Sequence, residues 1–393
     1  MATNNKIAKC PPLRFPEFAD EWKQTTLGEI AEVNPTTTKS LPLRFQYIDL
    51  ESVEKGRIVK NNVLTREDAP SRAQRILNNG DVIFQMVRPY QQNNLYFNLK
   101  GNIPVVASTG YAQLRGFQSS LFLYYAVHTP NFLGEVLNRC TGSNYPAINS
   151  ADLSTISLSL PSLAEQEKIA SFLSLIDERI QSCSETIKEI KTLKAGLLSL
   201  RVYQADKQYV PLSYFGEMKH GYPFKSTSYD EDGTHRIVTI SNVSGARYAD
   251  MSKCNYLAEL PHDIQQHQIL SRNDILISLT GNVGRVSFCL ADGDLLNQRV
   301  GVLSLCDEAY KEYIYQVLSD WRFEMSMVAC GQGAAQLNIS KSNVEGYLVP
   351  YEQSEYQEIG NFFSLLDDRI EIEEELLKQY EMQKKYLLRQ MFI

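Results

Sequence analysis

Two polar stretches hold the side chains of this chain best suited to recognising another molecule. In VRPYQQNN, Arg88, Tyr90, Gln91, Gln92 and Asn93 leave a β-type run at residues 82–87, and Ser71, Arg72 and Arg75 lie just before that run. After the corresponding run in the second half come Thr280, Asn282 and Arg285, with Lys225 and Ser226 in a loop further upstream. Arginine offers a fork of donors that matches guanine, Asn and Gln set a donor beside an acceptor as adenine requires, and Lys or a backbone N–H satisfies a phosphate. The chemistry these residue types support is the reading of base edges. Each stretch is also, by composition, an ordinary solvated turn.

Bond-making chemistry has no comparable foothold. No G-x-x-x-x-G-K-[ST] loop is present to cradle ATP phosphates, and no [DN]-P-P-[FY] tetrapeptide to position an adenine amino group for methyl transfer. TGNVGR (residues 280–285) spaces its glycines wrongly for a dinucleotide fingerprint and reads as a turn. Five histidines show one weak metal-like pair, His262 with His267, and seven scattered cysteines contain no C-x-x-C, so neither a zinc site nor a disulfide framework is expected. With no nucleophile elbow either, the chain is expected to be non-catalytic, with no catalytic residue, metal or cofactor of its own.

The composition is that of a soluble protein: 393 residues, 43% hydrophobic and 22% charged, enough for two domains of roughly 100–200 residues. No apolar run approaches the ~20 residues of a membrane helix, and residues 1–19 mix basic residues with prolines where a signal peptide would be apolar. A cytoplasmic protein with no membrane partner is expected. The net charge of -7 opposes free-standing, non-specific DNA binding. The excess is regional: residues 1–160 carry 16 Lys+Arg against 13 Asp+Glu, residues 161–208 carry 7 against 7, residues 209–349 carry 11 against 16, and residues 350–393 carry 5 against 10. Phosphates would therefore be met by local basic loops and by a more basic partner subunit.

The elements that must position these loops occur twice. IASFLSLIDERI (residues 169–180) returns as IGNFFSLLDDRI (residues 359–370), a shift of 190. Upstream, ILNNGDVIF (residues 76–84) matches ILSRNDILIS (residues 269–278), and residues 142–161 match residues 331–350, which sets Asn149 against Asn338. The loops TGSNYPAIN (residues 141–149) and GQGAAQLN (residues 331–338) fit turn-and-cap geometry around these asparagines as well as they fit contact with DNA. In the first half residues 46–50, 82–87 and 103–107 are expected as strands and residues 119–140 as a helix pair split near Pro130; in the second half residues 236–240, 274–279 and 300–305 are strands and residues 308–328 helical. A duplicated fold with an internal pseudo-twofold suits a pseudo-symmetric partner, and duplex DNA is the commonest.

Each half ends in a heptad pattern. Steps of four and three from Ile169 give Leu173, Ile176, Ile180, Cys183, Ile187, Ile190, Lys194 and Leu197; from Ile359 they give Phe363, Leu366, Ile370, Glu373, Leu377, Tyr380, Lys384, Leu387 and Met391. Charged and other polar residues fill most other positions, so a coiled-coil seam is expected, on helices about 55 Å long. The simplest arrangement pairs the two copies with each other, antiparallel. Lys194 and Glu373 either meet across that seam and set its register, or both reach to water from its edge.

The doubled plan of a globular domain, a P-x-L-x-E-Q-x-K-I approach and a long helix with an L-x-D-x-R-I core resembles the DNA specificity subunit of Type I restriction-modification enzymes. The residues are Pro161, Leu163, residues 165–169 and residues 175–180 in the first copy, and Pro350, Glu355, Ile359 and residues 365–370 in the second, where PYEQSEYQEI departs from the pattern and reads as one residue longer. RFPEFADEW, APSRAQR with GDVIF, and HGYPFKSTSYDEDGTHRI are also similar to sequences of that family. The resemblance covers nearly the whole chain, though each motif alone is weak. It implies two target-recognition domains that read the halves of a split DNA sequence, a helical spacer between them, two methylation subunits and two restriction/motor subunits as partners, and S-adenosylmethionine, ATP and Mg2+ on those partners.

The expected fold is therefore α+β: two α/β target-recognition domains of similar fold (residues 1–160 and 209–349), joined by two long antiparallel coiled-coil helices (residues 161–208 and 350–393), with an internal pseudo-twofold. The expected function is the binding of a bipartite, asymmetric DNA target. A coiled-coil scaffold that binds no nucleic acid is the main alternative, and a cryptic metal-dependent nuclease a further one.

Overall fold

The computed structural model describes residues 10–36, 40–98, 101–204, 207–331 and 337–393. They form two compact units, one of Met1–Cys183 with Leu376–Ile393 and the other of Ser184–Glu375.

In the first unit, the run DVIFQ forms the strand Asp81–Gln85, buried along its whole length because its alternating side chains enter two apolar cores, Val82 and Phe84 one and Ile83 the other. Its four-stranded sheet runs Ala31–Val33, Tyr111–Gly116, Asp81–Gln85, Leu95–Tyr96. A second sheet runs Asn62–Thr65, Arg44–Ile48, Val105–Ser108, Ala73–Ile76, with its central pair parallel. Helices Ser120–Ala126 and Pro130–Arg139 follow, the second started by Thr129, whose hydroxyl accepts from Phe132 N–H, and by Pro130 in the first turn, where no helical N–H partner is lost. A ribbon of Lys23–Thr26 and Ser157–Leu160 precedes the long helix Leu163–Arg201. The end of the second long helix, Tyr356–Gln390, also belongs to this unit: Leu387, Leu388, Met391 and Phe392 share a core with Trp22 and Phe122, and Phe392 stacks on Phe122 at 5.2 Å.

The second unit follows the same order. Ile275–Ser278 is buried between Val300–Leu305 and Val286–Phe288, with Gly216–His220 at the far edge. His235–Val238 runs parallel to Leu295–Leu296. The expected helical stretch breaks at residues 319–320 into Lys311–Leu318 and Trp321–Cys330, the latter capped by Asp320. The ribbon pairs Gln208–Pro211 with Leu348–Tyr351. Leu198 and Val202, at the end of the helix Leu163–Arg201, are buried in this core.

The structure corrects one alignment between the copies. Asn149 caps the short helix Ser150–Ser154, accepting from Asp152 N–H, and Ser340 caps Lys341–Glu345, accepting from Asn343 N–H. Asn149 therefore corresponds to Ser340, two residues beyond Asn338. The ribbon strands Ser157–Leu160 and Leu348–Tyr351 align on the same shift, so the second approach to the long helix is one residue shorter, not longer. The physical reason is that cap and strand geometry, rather than proline position, fix the register. Most of GQGAAQLN, residues 332–336, lies outside the described residues.

On the long helices, Ile169, Leu173, Ile176, Ile187, Ile359, Phe363, Ile370 and Leu387 are buried, and Ile180, Ile190, Leu197, Leu366, Leu377 and Tyr380 half-buried. Leu175, Leu193, Leu365 and Ile372, off the heptad spacing, are exposed. Lys194 does not meet Glu373. Within the second unit its Nζ lies 2.5 Å from Asp367 Oδ1, while Glu373 pairs with Arg369 one turn earlier on its own helix, a spacing that satisfies it locally. Within the first unit, Lys384 Nζ lies 2.6 Å from Asp177 Oδ1. Lys384 and Asp367 each follow Lys194 and Asp177 by 190 residues, so the same pair is made once in each unit.

Candidate nucleic-acid interface

In the first unit two candidate segments border one turn. Thr109 N–H donates to Arg72 O at 2.9 Å and Met86 N–H donates to Gly110 O at 3.0 Å, so the chain before Ala73–Ile76 and the chain after Asp81–Gln85 both flank residues 109–110. Ser71 and Arg72 are exposed. Arg75 is half-buried with its Nε unpartnered, and burial pulls its guanidinium below the usual arginine value. The Arg88 guanidinium lies 4.3 Å over the exposed ring of Tyr145, and its Nε is also buried without a partner.

The turn after Arg88 is strained and held. Arg88 (φ +54°) and Gln92 (φ +51°) adopt left-handed backbone on either side of Pro89–Gln91, at a cost of about 1–2 kcal/mol for each residue that has a Cβ. Buried Gln85 fixes this shape: its Nε2 donates to Gln91 Oε1 at 2.8 Å, its Oε1 accepts from Asn93 N–H at 3.1 Å, and its N–H donates to Asn94 Oδ1 at 2.8 Å. Behind it, His128 Nδ1 lies 2.6 Å from Tyr124 O and Nε2 3.2 Å from Asn94 Nδ2. The carbonyl can only accept and the amide nitrogen only donate, so the imidazole is neutral; burial first and Lys384 second push its pKa down to about 4. Gln92 and Asn93 are thus engaged within the fold, Gln92 Nε2 reaching His128 O and Asn93 Oδ1 accepting from Lys55 N–H. Ser71, Arg72, Tyr90, Gln91 and Tyr145 are exposed polar side chains here. Strain concentrated in an exposed, braced turn is characteristic of binding sites.

In the second unit, the strand Ile275–Ser278 leads into a hairpin whose glycines take left-handed backbone, Gly281 at φ +76° and Gly284 at +79°. A Cβ on Gly284 would lie 2.7 Å from Met327 Cβ, so no larger residue fits. Ser278 Oγ donates to Asn282 O at 2.5 Å and accepts from Arg285 N–H at 3.0 Å. Thr280 Oγ1 donates to Asn338 Oδ1 at 3.1 Å, and both line an open cleft of about 720 Å³ with His220, Gln298, Arg299 and Lys341. Asn282 is exposed on the hairpin, and Arg285 reaches Glu324 at 3.5 Å; neither lines the cleft. Lys225 and Ser226 are exposed on a separate turn, outside the cleft, where Lys225 O accepts from Ser228.

Sequence reasoning missed His220, Gln298, Arg299 and Lys341. The signal for two of them was the strand copy: Leu279 N–H donates to Arg299 O at 3.0 Å, just as Met86 N–H donates to Gly110 O, so Gln298 and Arg299 stand where the first unit has Thr109 and Gly110. The Arg299 side chain is exposed and has no hydrogen-bond partner among the described residues. Lys341 Nζ lies 2.5 Å from Glu217, and that bond raises the lysine and lowers the carboxylate from their ordinary values.

Among the described residues no helix is long and apolar enough to cross a membrane, and no group of three or more His, Cys, Asp or Glu is placed to hold a metal ion. Residues 19–192 and 205–382 match the family described as Type I restriction modification DNA specificity domain. The Type I restriction enzyme HindI specificity subunit of Haemophilus influenzae is 21% identical over 187 residues, 43% of this chain and 39% of that protein, so the match spans well under half of the relative. The fold is similar to that of the Type I restriction-modification system S subunit from M. genitalium, with a TM-score of 0.64 at 16% identity over 98% of this chain and 99% of that one. It is also similar to a chain from a structure addressing complex assembly and conformational transition of the type I R-M system, with a TM-score of 0.53 at 19% identity over 96% and 98%. At such identities the likeness is one of fold.

Proposed function

The chain belongs to the Type I restriction modification DNA specificity family, and from that premise we propose that it binds a bipartite, asymmetric duplex DNA target, one half-site per domain. The observation that carries this reading is the turn both domains use, Met86 to Gly110 in one and Leu279 to Arg299 in the other, each beside exposed side chains able to read bases. In the first domain these are Ser71, Arg72, Tyr90 and Gln91, with Arg75, Arg88, Gln92 and Asn93 supporting them. In the second they are Gln298 and Arg299 in the cleft beside half-buried Thr280, with Asn282, Arg285, Lys225 and Ser226 on flanking turns.

The two long helices act as the spacer, paired antiparallel. Ion pairs within the second unit support this: Lys191 with Glu374 and Lys194 with Asp367 step three residues forward on one helix and seven back on the other. The chain carries no catalytic group. Two methylation subunits and two restriction/motor subunits dock on it in the cytoplasm and bring S-adenosylmethionine, ATP and Mg2+. Recognition domains of residues 1–160 and 209–349, with helical segments of residues 161–208 and 350–393, complete the proposal.

Sequencing methylated adenines in cells with and without this gene tests it. A split motif that disappears with the gene is the expected result. Removing one heptad from both helices should change the gap between half-sites and leave their sequences unchanged. The net charge of -7 favours the competing reading, a scaffold without nucleic acid. Duplex binding by the assembled complex that weakens steeply with salt separates the two, and its absence leaves the scaffold.

A further inference from the structure

One carboxylate in the second unit joins four parts of the chain. Asp367, on the helix Tyr356–Gln390, is 10% exposed; its Oδ1 accepts from Lys194 Nζ on the other long helix, and its Oδ2 accepts from Gln316 Nε2 at 2.7 Å and from Arg247 Nη1 at 2.9 Å. Gln316 comes from the domain helix Lys311–Leu318 and Arg247 from the loop between His235–Val238 and Asn255–Leu257. The same guanidinium donates to Glu312 at 3.0 Å and to Ser364 Oγ at 3.1 Å, and lies 5.3 Å from the ring centres of both Phe288 and Tyr315. A fork with two acidic partners, a hydroxyl and two ring faces has one available position, which a lysine could not reproduce.

Arg247 is tied to the reading hairpin through its backbone. Phe288 N–H donates to Arg247 O at 2.7 Å and Ala249 N–H donates to Phe288 O at 2.9 Å. Phe288 ends the strand Val286–Phe288, which begins one residue after Arg285, on the hairpin that carries Thr280 and Asn282. Two steps therefore connect that hairpin with the long helix: strand to loop by main-chain bonds, and loop to Asp367 by the guanidinium. Among the described residues of the first unit, no arginine pairs with Asp177. There Asp177 accepts from Tyr125 Oη at 2.9 Å and from Lys384, and the hairpin of Val53–Glu54 and Arg57–Ile58 reaches its helix segment through Lys55 and Glu381, whose side chains are 76% and 43% exposed.

We propose that Arg247 is a positioning residue for DNA recognition: it pins the reading hairpin of the second domain to the long helix and so fixes where along the duplex the second half-site must lie. This rests on the bipartite DNA-binding reading above. Arg247 touches no base in this assignment; it restricts the gap between half-sites, not their sequences.

The test is methylated-adenine sequencing of cells that express the full chain with its companion subunits, as wild type and as Arg247→Met, Arg247→Lys and Lys55→Ala. Wild type and Lys55→Ala should give one split motif dominated by one gap, with a small share of neighbouring gaps. Arg247→Met should keep both half-site sequences and add gaps one base pair longer or shorter, with a roughly ten-fold rise in their share, which corresponds to about 1.4 kcal/mol of lost discrimination. Arg247→Lys should fall between. An unchanged share of neighbouring gaps in Arg247→Met overturns the assignment, as does a gap altered equally by Lys55→Ala. If Arg247→Met abolishes methylation, Arg247→Lys decides by the same criteria, and loss of methylation there too assigns Arg247 to stability alone. Absence of any split motif in wild type would instead remove the DNA-binding reading.

Discussion

Asp177 and Asp367 are the same residue of two copies of one motif, yet they hold different company. Asp177 has a lysine and a phenol and is 32% exposed; Asp367 has a lysine, an amide and an arginine and is 10% exposed. Tyr125 remains a donor because burial, and then Asp177, hold its hydroxyl above the usual phenol value. A repeated helix motif therefore preserves the acidic acceptor and its lysine, while each domain supplies its own donors.

The largest expected contrast is between the two carboxylates. Asp367→Ala leaves two buried cations short of a partner and should destabilise the second unit by about 3–5 kcal/mol, whereas Asp177→Ala should cost the first unit about 1–2 kcal/mol. The chain has two tryptophans, Trp22 in the first unit and Trp321 in the second, so urea unfolding followed by fluorescence in a Trp321→Phe or Trp22→Phe background separates the units. Equal losses would mean that the added donors around Asp367 contribute nothing.

Next come the helix ends that complete each core. Phe392, buried against Trp22 and Phe122, should cost about 3 kcal/mol on change to alanine, and Val202, buried in the second core, about 2 kcal/mol. Each change should move the transition of its own unit alone.

A third contrast is with pH. His128 is neutral in the fold with its pKa lowered from 6.5 to about 4, and the second unit carries Ser319 in the corresponding place. The unfolded chain binds the proton below 6.5 and the folded chain does not. The contribution of neutral His128 to the stability of the first unit is therefore fully present above 6.5 and is lost as pH falls from 6.5 towards 4, by at most about 1.4 kcal/mol per pH unit. His128→Asn should flatten that dependence in Trp22 fluorescence, and a second unit that tracks the same curve would contradict the assignment. The smallest effect belongs to Lys55→Ala, which breaks an exposed pair and should change stability by less than about 1 kcal/mol.

Much of the fold could be read from residues. The runs DVIF and DILIS are expected as strands and a helix pair as split near Pro130, and the heptad count separates buried Leu173 and Phe363 from exposed Leu175 and Leu365. The interface was less accessible. Gln92 and Asn93 look free in the sequence, yet the Gln92 amide donates to His128 O and the Asn93 side-chain carbonyl accepts from Lys55 N–H, backbone groups 36 and 38 positions away. Arg299 escaped notice because nothing local marks it; only the hydrogen bond from Leu279 shows that it occupies the turn.

Periodicity and repetition are local properties, written into the order of side chains and sufficient to specify two similar domains and two long helices. Which residues meet depends on contacts separated by more than a hundred positions, such as Arg247 with Asp367 and Trp22 with Phe392. No spacing encodes such pairs. They arise when cores exclude water and the buried charges must find partners, so the register of Lys194, the part played by Phe392 and the anchoring of the second domain belonged to tertiary structure alone.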